Sequence, residues 1–547
     1  MRALVDEGVD DGSAAADSAD APRRSAVLAA LGVAAAVAVG VALRFVSTSA
    51  LWLDEALSVN IASLPPGDIL EALRHDGHPP LYYLLLHYWM ELVGDGDTVV
   101  RALSGLIGVA TLPFAWVAGR RIAGTAGARW SVVVLALSPY AIRYSSETRM
   151  YSLVMLLSLV GYLLVDDALR PAADPSGNGA DRRSGPTPLR LAGIALVSGL
   201  LLLTHYWSFY LLGTVGLLLV LHWWRAPATR PATLRVILAI AAGGLLFLPW
   251  LGGFLYQGSH TGTPWGSPYR PTELVQSTLN DLGGGVFSEA FLSATVTLFL
   301  LTLALMVVRA SRTELVLDLR TTPLVRRELA VALGTLALGC VAGYATNAAY
   351  QSRYAAVVVP LVLLGVAAGL TRLVGVARLA VAAFWVVLAF AGVVWLQTYE
   401  RTQAPDAAAA IAAQAEPGDV VVYCPDQLGP AYSRALDAEG LDVVHLAYPE
   451  LGDPQLVDWV DYADRNGAAD PVALADEVRL RAEGHGIFVV WMGEYQTFGD
   501  QCERLIGNLG QGEQLLGEDS SGFYEPANVH WFPAGRADAA PAERAGG

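Results

Sequence analysis

The sequence predicts an all-α polytopic membrane protein of about eleven transmembrane helices, carrying a C-terminal extracytoplasmic α/β domain. Three observations lead there. Of the 547 residues, 54% are hydrophobic and only 16% are charged, against about 25% charged in an ordinary soluble domain. The apolar residues fall in blocks of roughly 15–20, the length that crosses about 30 Å of hydrocarbon at 1.5 Å per residue. The Arg residues gather in alternate loops, as the positive-inside rule expects of a multi-pass chain.

The first segment, 1–24, is acidic and rich in Ala, Ser and Gly, and reads as a disordered cytoplasmic tail. Arg23 and Arg24 precede an apolar block that imitates a signal peptide, but no small-residue cleavage site follows, so 26–46 reads as an uncleaved first helix. Further spans are expected at 99–119, 128–142, 150–166, 190–204, 207–223, 234–251, 288–308, 329–346, 354–371 and 378–396. One set of loops holds Arg120, Arg121, Arg129, Arg170, Arg182, Arg183, Arg190, Arg225, Arg230, Arg235, Arg309, Arg312, Arg320, Arg326, Arg327, Arg372 and Arg378; the alternate set holds only Arg74, Arg143, Arg149, Arg270 and Arg353. This places the N-terminus in the cytoplasm and makes 190–223 a hairpin that turns at His205–Trp207. An odd number of crossings then leaves 397–547 outside. The short apolar stretch 80–93 contains His87 and Glu91, and counting it as a span would put Arg120 and Arg121 on the wrong side. It reads as an amphipathic helix on the outer surface.

The expected organisation is a membrane domain over 25–397 with its first outer loop at 47–98, an extracytoplasmic domain over 398–533, and a disordered tail at 534–547. Within the outer domain, 419–423, 442–446 and 486–492 read as buried strands alternating with helices near 427–438, 472–483 and 499–509, the signature of an α/β fold. Cys424 and Cys502 both lie there. A disulfide suits an extracytoplasmic domain, but sequence spacing does not decide whether they meet. The net charge of −16 argues against a nucleic-acid partner.

Chemistry-bearing residues concentrate in the outer loops. Asp54 and Glu55 follow the first helix directly, and adjacent carboxylates at a membrane face can serve as a general base or hold a divalent cation. They can equally be the polar first turn of a surface helix. The same loop contains His78 and Tyr82, beside the Pro79–Pro80 pair. The second outer loop carries Arg143, Glu147, Arg149 and Tyr151, bringing cations to the Arg-poor side, where an anion such as phosphate or a neighbouring carboxylate would partner them. Arg353 and Tyr354 repeat that arrangement at the outer end of a later helix. His205, within His205-Tyr206-Trp207, stands at the same level, where an interfacial aromatic belt is the plainer reading.

Four segments in this order, 51–58 (LWLDEALS), 77–89 (GHPPLYYLLLHYW), 100–124 (VRALSGLIGVATLPFAWVAGRRIAG) and 138–153 (SPYAIRYSSETRMYSL), resemble the GT-C membrane glycosyltransferases. The likeness is to the bacterial glycosyltransferase family 39-like branch, related to protein O-mannosyltransferases and aminoarabinose transferases. It covers about 50–165 best and fades through 372. The resemblance implies an enzyme that takes a sugar, mannose or a related hexose, from a polyprenyl-phosphate carrier in the bilayer. The acceptor would be an extracytoplasmic glycan, glycolipid or protein.

By that resemblance Asp54, Glu55 and Glu147 are the catalytic acids. His78, Tyr82, Arg143, Arg149, Tyr151, His205, Arg353 and Tyr354 become the substrate-binding residues. Asp54 and Glu55 would be the ligands if a divalent metal cation is used; no cofactor is otherwise implied. The MIR domain of many eukaryotic members is missing. A transporter or lipid-linked-sugar flippase is the alternative, but the sequence shows no internal repeat and its ionisable residues cluster at the outer face, not at mid-membrane.

Overall fold

The computed structural model describes residues 12–170, 186–264, 266–285, 289–493 and 496–535. Each of the eleven segments expected to cross the bilayer lies on helix over most of its length. Among the described residues, six helical runs are long and apolar enough to cross a membrane: Asp97–Leu137, Tyr151–Leu169, Trp207–Arg225, Pro227–His260, Arg326–Thr346 and Gly375–Thr398. Val27–Leu43, Pro188–Thr204, Ala290–Met306 and Val359–Arg372 are shorter apolar helices packed among them. The chain is a multi-pass membrane protein.

One departure from the sequence reading has a plain cause. The first helix runs back to Gly12, into the segment expected to lack structure; its many Ala residues have the highest helix propensity. Residues 1–11 and 536–547, the rest of the expected tails, lie outside the described residues. The expected spans 99–119 and 128–142 are two helices within Asp97–Leu137 that meet at Ala123 and Gly124, where φ/ψ become −138°/32° and 63°/−154°. The chain folds back at this point. A Cβ on Gly119 would lie 2.5 Å from the Gly127 carbonyl oxygen, and one on Gly127 would lie 2.3 Å from that of Gly119. Only glycine permits both the positive φ and this backbone contact.

The segment after the first membrane helix folds as three short helices, Leu53–Ala62, Pro66–Asp76 and Leu81–Val93. The third buries Tyr82, Tyr83 and Leu86 and exposes Leu85, Tyr88, Leu92 and Val93, the two-faced pattern of a helix lying along a bilayer surface. Residues Val307–Ala310 and Leu315–Leu317 form a small antiparallel ribbon.

The C-terminal domain is built on five strands: β1 (Val420–Cys424), β2 (Val444–Ala447), β3 (Ile487–Trp491), β4 (Glu513–Leu516) and β5 (Asn528–Phe532). Their order is β2-β1-β3-β5-β4. The first three are parallel and β5 and β4 run antiparallel. Strand β1 is buried at every position, which explains its unbroken apolar sequence. Cys424 and Cys502 are joined in a disulfide that ties the end of β1 to the helix Gln501–Leu509.

This domain is fastened directly to the first loop. Glu400–Thr402 pairs in parallel with Phe523–Glu525, setting Thr402 opposite Glu525. Arg401 N–H donates to Ser49 Oγ (2.8 Å), Trp459 N–H to the His75 carbonyl (3.0 Å) and Asn60 Nδ2 to the Gln455 carbonyl (2.8 Å). Arg434 pairs with Asp97 at 2.9 Å.

Candidate active site

A cavity of about 340 Å³ lies where the membrane helices meet the C-terminal domain. Asp54 enters it from the first turn of Leu53–Ala62, where the helix N-terminus favours a carboxylate. Its Oδ2 lies 3.2 Å from Arg353 Nη1 and 3.9 Å from Arg149 Nε. Arg353 sits on the 3-10 turn Ser352–Val357 that leads into Val359–Arg372, and its guanidinium lies over the Trp52 ring, 5.8 Å from the centroid.

Arg149 is held at four points. It is 2% exposed, in the loop between the short helix Pro139–Arg143 and the membrane helix Tyr151–Leu169. Nη1 donates to Ser58 Oγ (2.8 Å), to Tyr83 Oη (3.2 Å) and to the Asp54 carbonyl (3.2 Å). Nη2 lies 2.9 Å from His78 Nε2. Because a guanidinium can only donate, His78 Nε2 accepts and Nδ1 carries the proton. That proton goes to Asp76 Oδ2, 2.8 Å away, which also accepts from Tyr83 Oη at 2.9 Å. Burial opposes ionisation of Asp76, but His78, Arg149 and Tyr83 outweigh it and hold the carboxyl below its ordinary range. The chain Asp76–His78–Arg149 thus fixes one cation in direction as well as place.

Glu55, expected beside Asp54 as a second acid or a metal ligand, points elsewhere, since neighbours on a helix do not share a face. It is fully buried. Arg101 donates to both its oxygens (2.8 and 2.7 Å), the Thr148 N–H donates at 2.9 Å and Arg401 Nη1 at 2.9 Å. Burial raises its carboxyl, yet Arg101 and Arg401 outweigh that and bring it down to about 2. With its lone pairs taken, Glu55 does not converge with Asp54 on a cation. Among the described residues no group of three or more His, Cys, Asp or Glu side chains is placed to hold a metal.

Of the residues singled out in the sequence, the cavity gathers Asp54, His78, Arg149, Arg353 and Tyr354. Others stand behind it. Tyr82 Oη pairs with Ser104 Oγ (2.8 Å), which itself lies 3.2 Å from the Arg149 carbonyl. The rings of Tyr151 and His205 continue from Tyr354 as an aromatic layer, at 5.9 and 5.4 Å between successive centroids. His205 Nδ1 accepts the Trp207 N–H at 3.1 Å. Arg143 is drawn away by Asp281, 3.3 Å distant, whose other oxygen accepts from Tyr144 Oη. Glu147 is 1% exposed and lies 4.0 Å from Arg143 Nε. Neither Glu147 oxygen has a hydrogen-bond partner among the described residues. Burial pushes its carboxyl up, against the opposing charges of Arg401 and Arg143.

Several lining residues carried no local signal in the sequence: Thr263, Gln351, Gln427, Trp459, Tyr524 and Glu525. Asp76, two residues before His78, carried nothing to distinguish it from a helix C-terminal polar residue.

The architecture sets membrane helices beneath a loop-borne carboxylate and a second domain. Residues 77–173 match the family model for dolichyl-phosphate-mannose-protein mannosyltransferase. Among solved structures, the chain is similar to ArnT from Cupriavidus metallidurans bound to undecaprenyl phosphate, at 14% identity and TM-score 0.56, covering 92% of this chain and 97% of that one. It matches the apo form of the same ArnT at 14% identity and TM-score 0.58, over 92% and 98% of the two chains. AglB from Archaeoglobus fulgidus, in complex with an inhibitory peptide and a dolichol-phosphate, matches at 12% identity and TM-score 0.47, over 91% and 74%. No curated protein matches the chain significantly in sequence.

Proposed function

We propose that the chain transfers a sugar from a polyprenyl-phosphate donor to a hydroxyl of an acceptor, with inversion at the anomeric carbon. The observation that carries this reading is Asp54 set between two arginines, Arg149 and Arg353, in one cavity. The acceptor oxygen attacks the anomeric carbon and gives its proton to Asp54. The bond from that carbon to the phosphate oxygen breaks, and its electron pair leaves with polyprenyl phosphate. Arg149 and Arg353 meet the charge that grows on this oxygen, and the Asp76–His78 pair keeps Arg149 aimed. A phosphate that binds the two guanidiniums competes with Asp54 for them and so frees the carboxylate to act as a base.

The site belongs on the extracytoplasmic side in this proposal. The Arg-rich loops lie at the opposite end of the bundle, and the Cys424–Cys502 disulfide suits an oxidising compartment. The ArnT fold with undecaprenyl phosphate bound supports a lipid-phosphate donor. Mannose or a related hexose is the proposed sugar and about eleven crossings the proposed topology. The cluster of ionisable groups at one membrane face favours an enzyme over a flippase, which would need such groups at mid-membrane.

Turnover of a polyprenyl-phosphate-linked hexose by Asp54→Asn in proteoliposomes tests the proposal. Loss of the base lowers kcat by about 10²–10⁴-fold. Activity within about threefold of the unaltered protein, a barrier change under about 1 kcal/mol, removes Asp54 from this role.

A further inference from the structure

In open α/β sheets, ligands bind in the crevice outside the carboxyl ends of the parallel strands, where the strand order reverses. In the C-terminal domain the chain leaves β1 for β2 on one side and returns to β3 on the other. The reversal therefore falls between β1 and β3. Gln427 and Leu428, just past the end of β1, and Met492, just past the end of β3, line the same cavity as Asp54 and Arg353. The crevice of this domain and the carboxylate site of the membrane part are two walls of one space.

Glu525 stands on the same wall. It is 8% exposed, its Oε1 accepts the Leu53 N–H at 3.3 Å, and Oε2 has no hydrogen-bond partner among the described residues. Burial, with Asp54 adding to it and Thr402 and Leu53 opposing, pushes its carboxyl up to about 8. Aromatic rings flank it: Tyr524 and Trp52 meet edge to face at 5.0 Å, and Trp459 lines the cavity as well.

We propose that this wall is the acceptor subsite and that its occupant is a carbohydrate. Glu525 and Gln427 hydrogen-bond ring hydroxyls, while Trp459 and Tyr524 cover the apolar C–H face of a sugar ring. A purely apolar acceptor would leave Glu525 Oε2 buried without a partner, which is unfavourable. The inference rests on the transferase reading above, because it assigns to the acceptor what the arginines leave of the cavity.

The test uses the full chain in nanodiscs. Tryptophan fluorescence is titrated with α-linked mannotriose, and undecaprenyl phosphate binding is measured on the same samples. Glu525→Ala and Gln427→Ala are expected to weaken mannotriose binding at least about tenfold. Glu525→Gln, which can still donate and accept, stays within about threefold. Undecaprenyl phosphate affinity holds in all three variants, which also shows that they fold. Mannotriose bound equally well by both alanine variants overturns the proposal, as does saturable binding of a Ser/Thr peptide with none of mannotriose. Failure of the unaltered protein to bind undecaprenyl phosphate counts against the transferase reading instead.

Discussion

Replacing Glu55 by Gln separates a carboxylate that holds the site together from one that does chemistry in it. The side chain is fully buried between Arg101 and Arg401, which are themselves 7% and 12% exposed. A carboxyl brought from 4.5 down to about 2 is worth about 3 kcal/mol of folding free energy. The same order follows from the usual effect of removing one partner of a buried ion pair, about 3–5 kcal/mol. Gln keeps the shape but leaves two guanidiniums without a counter-charge. Chemical unfolding of the detergent-solubilised protein should therefore show Glu55→Gln destabilised by a few kcal/mol. The folded fraction should turn over within about tenfold of the unaltered protein, because Glu55 does not line the cavity. The pH dependence has a definite sign. Since the folded carboxyl titrates below the unfolded one, its contribution is complete above about pH 4.5 and is lost as pH falls towards 2. Glu55→Gln should lack that acid-side loss. A variant as stable as the parent but as inactive as Asp54→Asn would refute this division of labour.

Arg353→Ala should lower transfer by about 10²–10³-fold, as expected for one oxyanion partner, and weaken undecaprenyl phosphate binding in an equilibrium assay. Asp76→Asn keeps the hydrogen-bond geometry near His78 but removes the charge that orients it; transfer should fall about tenfold or more with donor affinity changed less, read as kcat against KM. Cys424→Ser should destabilise the C-terminal domain by about 2–5 kcal/mol, seen as faster proteolysis beyond residue 398 and parallel loss of mannotriose binding.

The membrane half was legible because hydropathy is a local signal. Each expected membrane segment fell on helix over most of its length, and the short stretch 80–93, with its internal His87 and Glu91, formed the helix Leu81–Val93. The α/β alternation was legible for the same reason, since β1 and β3 are short apolar runs bounded by turns. Strands β4 and β5 were not: β4 places its two polar residues, Glu513 and Gln514, side by side, and β5 is only five residues long. The reversal between the spans 99–119 and 128–142 was legible from Arg120 and Arg121, but the Gly119–Gly127 contact and the backbone angle at Gly124 that make it were not.

The site was half legible. Asp54, His78 and Arg149 lie in loops where charge is out of place, and that anomaly marks them. Arg353 was marked in the same way. Arg143 shows the same anomaly, but its answer is Asp281, 138 residues away. Glu55 finds Arg401 346 residues on, and Leu53 finds Glu525 472 residues on. Such pairings are made by tertiary packing alone, so no window of sequence contains them.

The central claim is that a lipid phosphate sits between Arg149 and Arg353 facing Asp54. A cryo-EM map of the protein in nanodiscs with undecaprenyl phosphate addresses it directly. The account predicts phosphate density within hydrogen-bond distance of both guanidiniums, with the Asp54–Arg353 contact opened. Density held elsewhere, with that contact of 3.2 Å intact, would contradict it.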